Sequence, residues 1–416
     1  MMQRGVEKNT MNSRNGRFWF FCLLFFLLWQ EPTLAAQPML AAGLRHSVYV
    51  DKYGGVSIWG DNTFGQLGGP SYQDVHASVA TYNPLGLRRA RVLGSGWNHI
   101  LVATRPTKSR NPTLWSWGLG DVGQLGIGPI VPLGGMAFYQ VRMPFPVLGD
   151  IGSKDFVMLK GGTAHSLALT KNGEVLAWGW NQVGQLGLGD LTNRWTAYKV
   201  KSLPPTMTAI AVGGDFSLAL DRDGTVWGWG NNARGQLGGG EKKDTPVMTP
   251  MRIAQSQGIG LRAIAAGTAF ALALDENGVV YAWGDNTHGQ LGRGDDPTAT
   301  QPDKVHGLPP IAGIAAGGDY GLALDKEGML WAWGLNDRGQ LGDGTTVMRS
   351  TPQPVPGLGK VQVMAAGVEH ALALQEDGAL MAWGDDRAYQ LGVQLAEERS
   401  LHPVIVTLKR HGREKN

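Results

Sequence analysis

Four histidines invite a chemical reading first. His46, His99, His165 and His370 stand at one point of a repeating sequence, and four imidazoles in one register could ring a metal ion. The other copies hold Phe216, Phe270 and Tyr320 at that point, which cannot serve as comparable ligands. The expectation is planar side chains packed where a strand begins. His46-Ser47 and His165-Ser166 set a base beside a nucleophile, but neighbouring strand residues point to opposite faces, so neither pair makes a dyad. Gly118-Leu-Gly120-Asp-Val-Gly123 fits the dinucleotide spacing Gly-x-Gly-x-x-Gly. The following Gln124-Leu-Gly126-Ile-Gly-Pro129 begins no helix that could hold a pyrophosphate. Arg293-Gly294-Asp295 is an adhesion-like tripeptide whose glycine the repeat already supplies. No catalytic residue, cofactor or metal is expected.

The elements that carry these residues recur seven times. The third copy reads Gly161-Gly162, His165-Ser-Leu-Ala-Leu169, Asn172-Gly173, Val175-Leu-Ala-Trp178-Gly179 and Gly184-Gln-Leu-Gly187. The Trp-Gly pairs fall at Trp59, Trp117, Trp178, Trp229, Trp283, Trp333 and Trp383, spacings of 50 to 61 residues. A period of that length with several short strands per copy marks a propeller blade. Leu-Ala-Leu at 167–169, 218–220, 272–274, 322–324 and 372–374 puts leucines on one strand face and alanines on the other. Both faces are apolar, so each sheet must be covered on both sides, leucines of one blade filling hollows over the next blade's alanines. Pairs such as Asn172-Gly173, Asp223-Gly224 and Asp377-Gly378 supply the hairpin reversal. The fold class is all-β, a seven-bladed propeller.

These motifs resemble the regulator-of-chromosome-condensation repeat, a seven-bladed propeller family, over about Ala41 to Leu408. Two positions depart from its pattern: Tyr389 replaces glycine in the last Gln-Leu-Gly element, and Gly120 replaces the usual asparagine in the second unit. The resemblance implies two precedents. Intracellular members exchange guanine nucleotides on a small GTPase and bind chromatin, whereas secreted bacterial relatives include proteinaceous β-lactamase inhibitors. Exchange members use a wedge inserted within a blade, and none of the seven stretches from Trp-Gly to Gly-Gln-Leu-Gly here carries an insertion.

Both ends of the chain carry information. Arg14 and Arg17 precede the apolar run Phe18 to Trp29, and Thr33-Leu34-Ala35-Ala36 follows it. A basic start, a short apolar core and a small-residue exit make residues 1–36 a signal peptide, with Met1 or Met11 as its start. Twelve residues make roughly 18 Å of helix, short of a ~30 Å hydrocarbon core, so no stable membrane insertion is expected after cleavage. The sole cysteine, Cys22, leaves with that segment. Residues 37–408 form the propeller and 409–416 a basic tail. The first unit starts abruptly at Met39, and His402 to Leu408 looks like a strand with no unit after it. The expectation is that this C-terminal strand completes the first blade and closes the ring.

Charge suggests where a partner would sit. Net charge is only +3, so no overall basic field draws the chain to nucleic acid. From Val75 to Gly120 there is no acidic residue, while Ala265 to Thr345 holds eleven Asp and Glu against four Lys and Arg. Residues 104–113 and 128–155 are also long for the repeat, and such insertions gather where partners bind. The candidate partner-binding residues are Arg88, Arg89, Arg91, Arg105, Lys108, Arg110, Phe138 and Tyr139. The expected function is a monomeric, exported (periplasmic or secreted), bacterial-type and non-catalytic platform or inhibitor-like binder that meets an acidic protein. The alternative is an exchange factor acting on a small GTPase after delivery into a host cell.

Overall fold

Leucine-alanine alternation builds seven four-stranded antiparallel sheets in the computed structural model. It describes residues 37–69, 76–82 (backbone only), 87, 90–104, 114–129, 140–253, 256, 258–294 and 298–408. Each sheet takes four consecutive strands in chain order, and no α-helix occurs among the described residues. The third blade shows the register: Leu167 faces Ala177 and Leu169 faces Val175, all buried. Blades 4, 5 and 6 brace the hairpin with an aspartate. Asp221 Oδ1, for example, accepts the turn N–H groups of Asp223 and Thr225 at 3.0 and 2.9 Å.

The core lies between blades. Leu218 and Leu220 of blade 4 pack with Ala271 and Ala273 of blade 5, and Leu322 of blade 6 packs with Ala371 and Ala373 of blade 7. Each seam adds a backbone hydrogen bond at the hub. Leu44 N–H donates to Trp97 O, Trp97 to Gly162, Thr163 to Gly214, Gly214 to Thr268, Thr268 to Gly318, Gly318 to Val368, and Val368 to Gly43. All seven lie between 2.8 and 3.2 Å, and together they form an unbroken belt.

Closure differs from the sequence expectation. The C-terminal strand Arg399–Ile405 pairs with Leu380–Asp385 and is the outer strand of blade 7. Blade 1 already owns an outer strand, His76–Tyr82, which pairs with Val56–Asp61. The ring shuts through side chains and the hub belt instead. Trp59 packs with Leu372, Ala382 and Leu391 of blade 7 and donates its indole N–H to Gln390 O at 2.9 Å. The expectation placed each outer strand ahead of its unit, whereas the chain writes it after.

Candidate functional site

The signature residues turn out to be fasteners. In every copy the Gly-Gln-Leu-Gly glutamine folds back so that its side-chain oxygen accepts the N–H two residues earlier, as Gln66 does from Phe64 and Gln185 from Val183. Its own carbonyl then accepts the indole N–H of the next blade's tryptophan. The seven pairs are Trp59–Gln390, Trp117–Gln66, Trp178–Gln124, Trp229–Gln185, Trp283–Gln236, Trp333–Gln290 and Trp383–Gln340, all at 2.9 or 3.0 Å. In five copies an asparagine ahead of the loop accepts the N–H of the loop leucine, as Asn181 does from Leu186, and in the seventh Asp386 accepts it from Leu391. The first glycine of the motif has φ between +72° and +92° in six copies. Tyr389 adopts φ +61° there, a conformation that strains a residue with a Cβ. Tyr389→Gly is expected to raise stability by about 0.5–1 kcal/mol, read as a higher urea midpoint.

The histidines are seam residues as well. Nε2 of His99 lies 2.8 Å from Ser166 Oγ, His165 meets Ser217 at 2.9 Å, and His370 meets Ser47 at 2.9 Å, each across a blade boundary. The three hydroxyls donate to the carbonyls of Gln124, Gln185 and Gln390. An oxygen whose proton is already committed can only accept from the ring, so each histidine carries its proton on Nε2. His46 uses Ser95 in the same way, since Ser95 donates to Gly96 O. Where the ring is Phe216, Phe270 or Tyr320, the facing residue of the next blade is Ala271, Gly321 or Ala371. One chain thus uses two solutions for the same seam. A Cβ added to Gly43, Gly96 or Gly213 would stand within 2.1 Å of the ring carbon of His46, His99 or Phe216.

These Ser–His pairs are not visible by adjacency in sequence, and they are not nucleophiles. The hydroxyl proton goes to a carbonyl, not to imidazole, and both partners are fully buried. Each histidine's Nδ1 is buried with no partner among the described residues. Burial holds His46, His165 and His370 neutral with pKa lowered to about 3, and His99 to about 4. No three His, Cys, Asp or Glu side chains among the described residues come together as a metal site.

The other motifs resolve similarly. Gly118 and Gly123 of the dinucleotide-like run have φ of +108° and +92° and belong to a strand end and a turn. Arg293 Nη1 is spent on Asp303 at 2.6 Å, and Asp295 lies outside the described residues. Part of the acidic flank is structural: Asp275 and Asp325 cap hairpins, and Asp343 pairs with Arg349 at 2.8 Å.

Of the eight residues expected to bind a partner, only Arg91 is described. Arg88, Arg89, Arg105, Lys108, Arg110, Phe138 and Tyr139 lie outside the described residues. Arg91 is exposed at a bulge in the inner strand Ala90–Ser95. Blade 2 aligns Ala90 with Thr104, Ala103 with Leu114, and Trp115 with Pro146. One end of the sheet therefore gathers Arg91, both anchor points of the connection 105–113, and the end of the outer strand. Phe145 and Leu148 at that end are 51% and 47% exposed, and Met143 on the same strand is 52% exposed, a strip of large apolar groups facing water. Gln140, which follows Phe138 and Tyr139, pairs with Leu119 at the opposite end. From sequence, Met143-Pro-Phe145 stands out only as an apolar part of the long stretch 128–155, and the structure shows that it lies on the outer strand Gln140–Pro146.

Comparison with known proteins agrees with this geometry. The RCC1-like domain family matches residues 206–415, and the regulator of chromosome condensation (RCC1) repeat matches residues 113–169 and 172–220. The ultraviolet-B receptor UVR8 of Arabidopsis thaliana is 30% identical over 271 residues, 65% of this chain and 58% of that protein. Homo sapiens E3 ubiquitin-protein ligase HERC2 is 32% identical over 269 residues, 64% of this chain and only 5% of that protein. The match thus spans little more than half of one relative and a small part of the other. Among solved structures, yeast RCC1 (Prp20) bound to Kap60 superposes with a TM-score of 0.75 at 23% identity, covering 98% of this chain and 91% of that one. Human WBSCR16 gives 0.72 at 24% identity, covering 85% and 93%. These relatives are eukaryotic. With its family-wide match and seven Trp–Gln fasteners, this chain belongs to the RCC1-like propeller family.

Proposed function

We propose that the propeller is an exported, non-catalytic platform that docks an acidic protein on one end of blade 2. The observation that carries this reading is the coincidence there of Arg91, the anchors of the acid-free connection 105–113, and exposed Phe145 and Leu148. Apolar groups beside cations suit a protein interface, with charge steering encounter and apolar area holding the complex. The solved structure of Prp20 with Kap60, and another describing Prp20p binding to Gsp1p and histones, support propellers of this shape as protein binders. Export rests on the basic-apolar-small pattern of residues 14–36.

The test is affinity capture from the exported fraction with residues 37–416 as bait. Replacing Arg105, Lys108 and Arg110 with Ser is expected to lower capture of the partner and its salt dependence. The same change at the exposed Lys201, Lys304 and Lys326 should leave both as they were. Equal behaviour of the two triples removes the blade 2 surface from consideration, and a small GTPase as the captured protein replaces the platform with exchange. The mass of the exported chain should correspond to a start near Ala36 or Gln37. Retention of residues 18–30 overturns export.

A further inference from the structure

The seven inner strands surround a central cavity of about 240 Å³. Its wall is made of small residues and inner-strand backbone, and most of the surface it presents is polar, because Leu40, Leu93, Ile264, Ile314 and Met364 pack into the seams between blades. Lys160 is the one ionisable side chain in that wall. The repeat does not ask for it: the equivalent position holds Ala41, Gly94, Ala211, Ala265, Ala315 and Ala365. No carboxylate pairs with Lys160 among the described residues, whereas Lys154 and Lys199 of the same blade share Glu174 at 2.5 Å each.

We propose that the central channel binds one small monocarboxylate, its charge met by the Lys160 ammonium. Lysine acts as a point charge for a single anionic oxygen, not as a fork. Each inner strand pairs only with the second strand of its own blade, so the channel-side N–H groups have no sheet partner and offer further donors to an oxyanion. A volume of about 240 Å³ exceeds the ~30 Å³ share of one water severalfold, enough for such a ligand. Desolvation by the surrounding blades already pulls the Lys160 pKa down, a penalty that a bound anion would relieve.

The experiment follows the Lys160 side-chain NMR signals of the full chain during titration with acetate, propionate and butyrate. A saturable shift is expected with each of the three. Lys160→Met and Lys160→Ala should weaken butyrate binding by about tenfold or more. The alanine is the residue that five other copies carry there, so the ring should hold. Butyrate affinity in the two variants equal to that of the parent chain, measured by calorimetry because the variants lack the lysine signal, or no saturable shift in the parent chain, overturns the assignment.

Discussion

As pH falls from 6.5 the ring is expected to lose stability increasingly steeply, approaching about 4 kcal/mol per pH unit near pH 5. The four seam histidines are the cause. In the unfolded chain they take up protons as pH falls through 6.5, but in the folded ring burial keeps them neutral until about pH 4 to 3. The unfolded state therefore binds up to four more protons, and the stability that is complete above pH 6.5 drains away below it. Asp386 opposes this, because burial raises its pKa to about 7 and lets the folded state gain one proton in the same window. Three net protons remain, each worth about 1.4 kcal/mol per pH unit. Asp215, Asp319 and Glu369, raised by the same cause, flatten the slope further down.

Urea midpoints from pH 8 to pH 5 measure the slope. The double variant His165→Phe with Ser217→Ala copies the arrangement of Phe216 against Ala271 and should reduce it by about one proton. A pH-independent midpoint, or a double variant with the parent slope, would mean that the histidines do not stay neutral when folded.

Trp59→Ala and Trp229→Ala should cost about the same, roughly 3–5 kcal/mol each. Both indoles are fully buried, and both donate to a Gln carbonyl at 2.9 Å, Trp59 across the boundary between the chain's two ends and Trp229 in mid-chain. Deleting residues 399–416 gives the complementary reading by hydrogen exchange. Amides of Leu380–Asp385 should lose protection, since that strand loses its neighbour, while the outer strand of blade 1 keeps its own. Loss of protection in blade 1 would restore closure by a shared strand. Removing only residues 409–416 should change neither measurement.

The blade and its number were legible because both depend on local chemistry. Leu-Ala-Leu alternation, hairpin glycines and Trp-Gly spacing act within a few residues, and the strands lie where they predict. Closure was not legible, because a repeating sequence does not state where its unit begins. Moving that boundary by one strand turns His402 to Leu408 from the end of blade 7 into the missing piece of blade 1. The Ser–His seams were hidden for a related reason, since His99 and Ser166 are 67 residues apart. Their signal was nevertheless present at six of seven seams: His99, His165 and His370 go with serine in the next unit, and phenylalanine or tyrosine with alanine or glycine, while the unit after His46 has Ile100 there and supplies Ser95 instead. The candidate surface was half visible. Charge marked the connection 105–113, but only the register of blade 2 shows that Phe145 and Leu148 reach the same end.

The hub belt gives the molecule an unusual mechanics. Six of its seven junctions are crossed by the peptide chain as well as by hydrogen bonds, and the junction between Val368 and Gly43 is crossed by hydrogen bonds and packing alone. Tension applied between residues 37 and 408 would meet this junction first, and once it parted the blades would peel away one after another. Cutting the chain between two other blades and joining the old ends moves that weak link without altering a single blade. Such permutants should keep the same equilibrium shape and differ only in where a pull opens the circle.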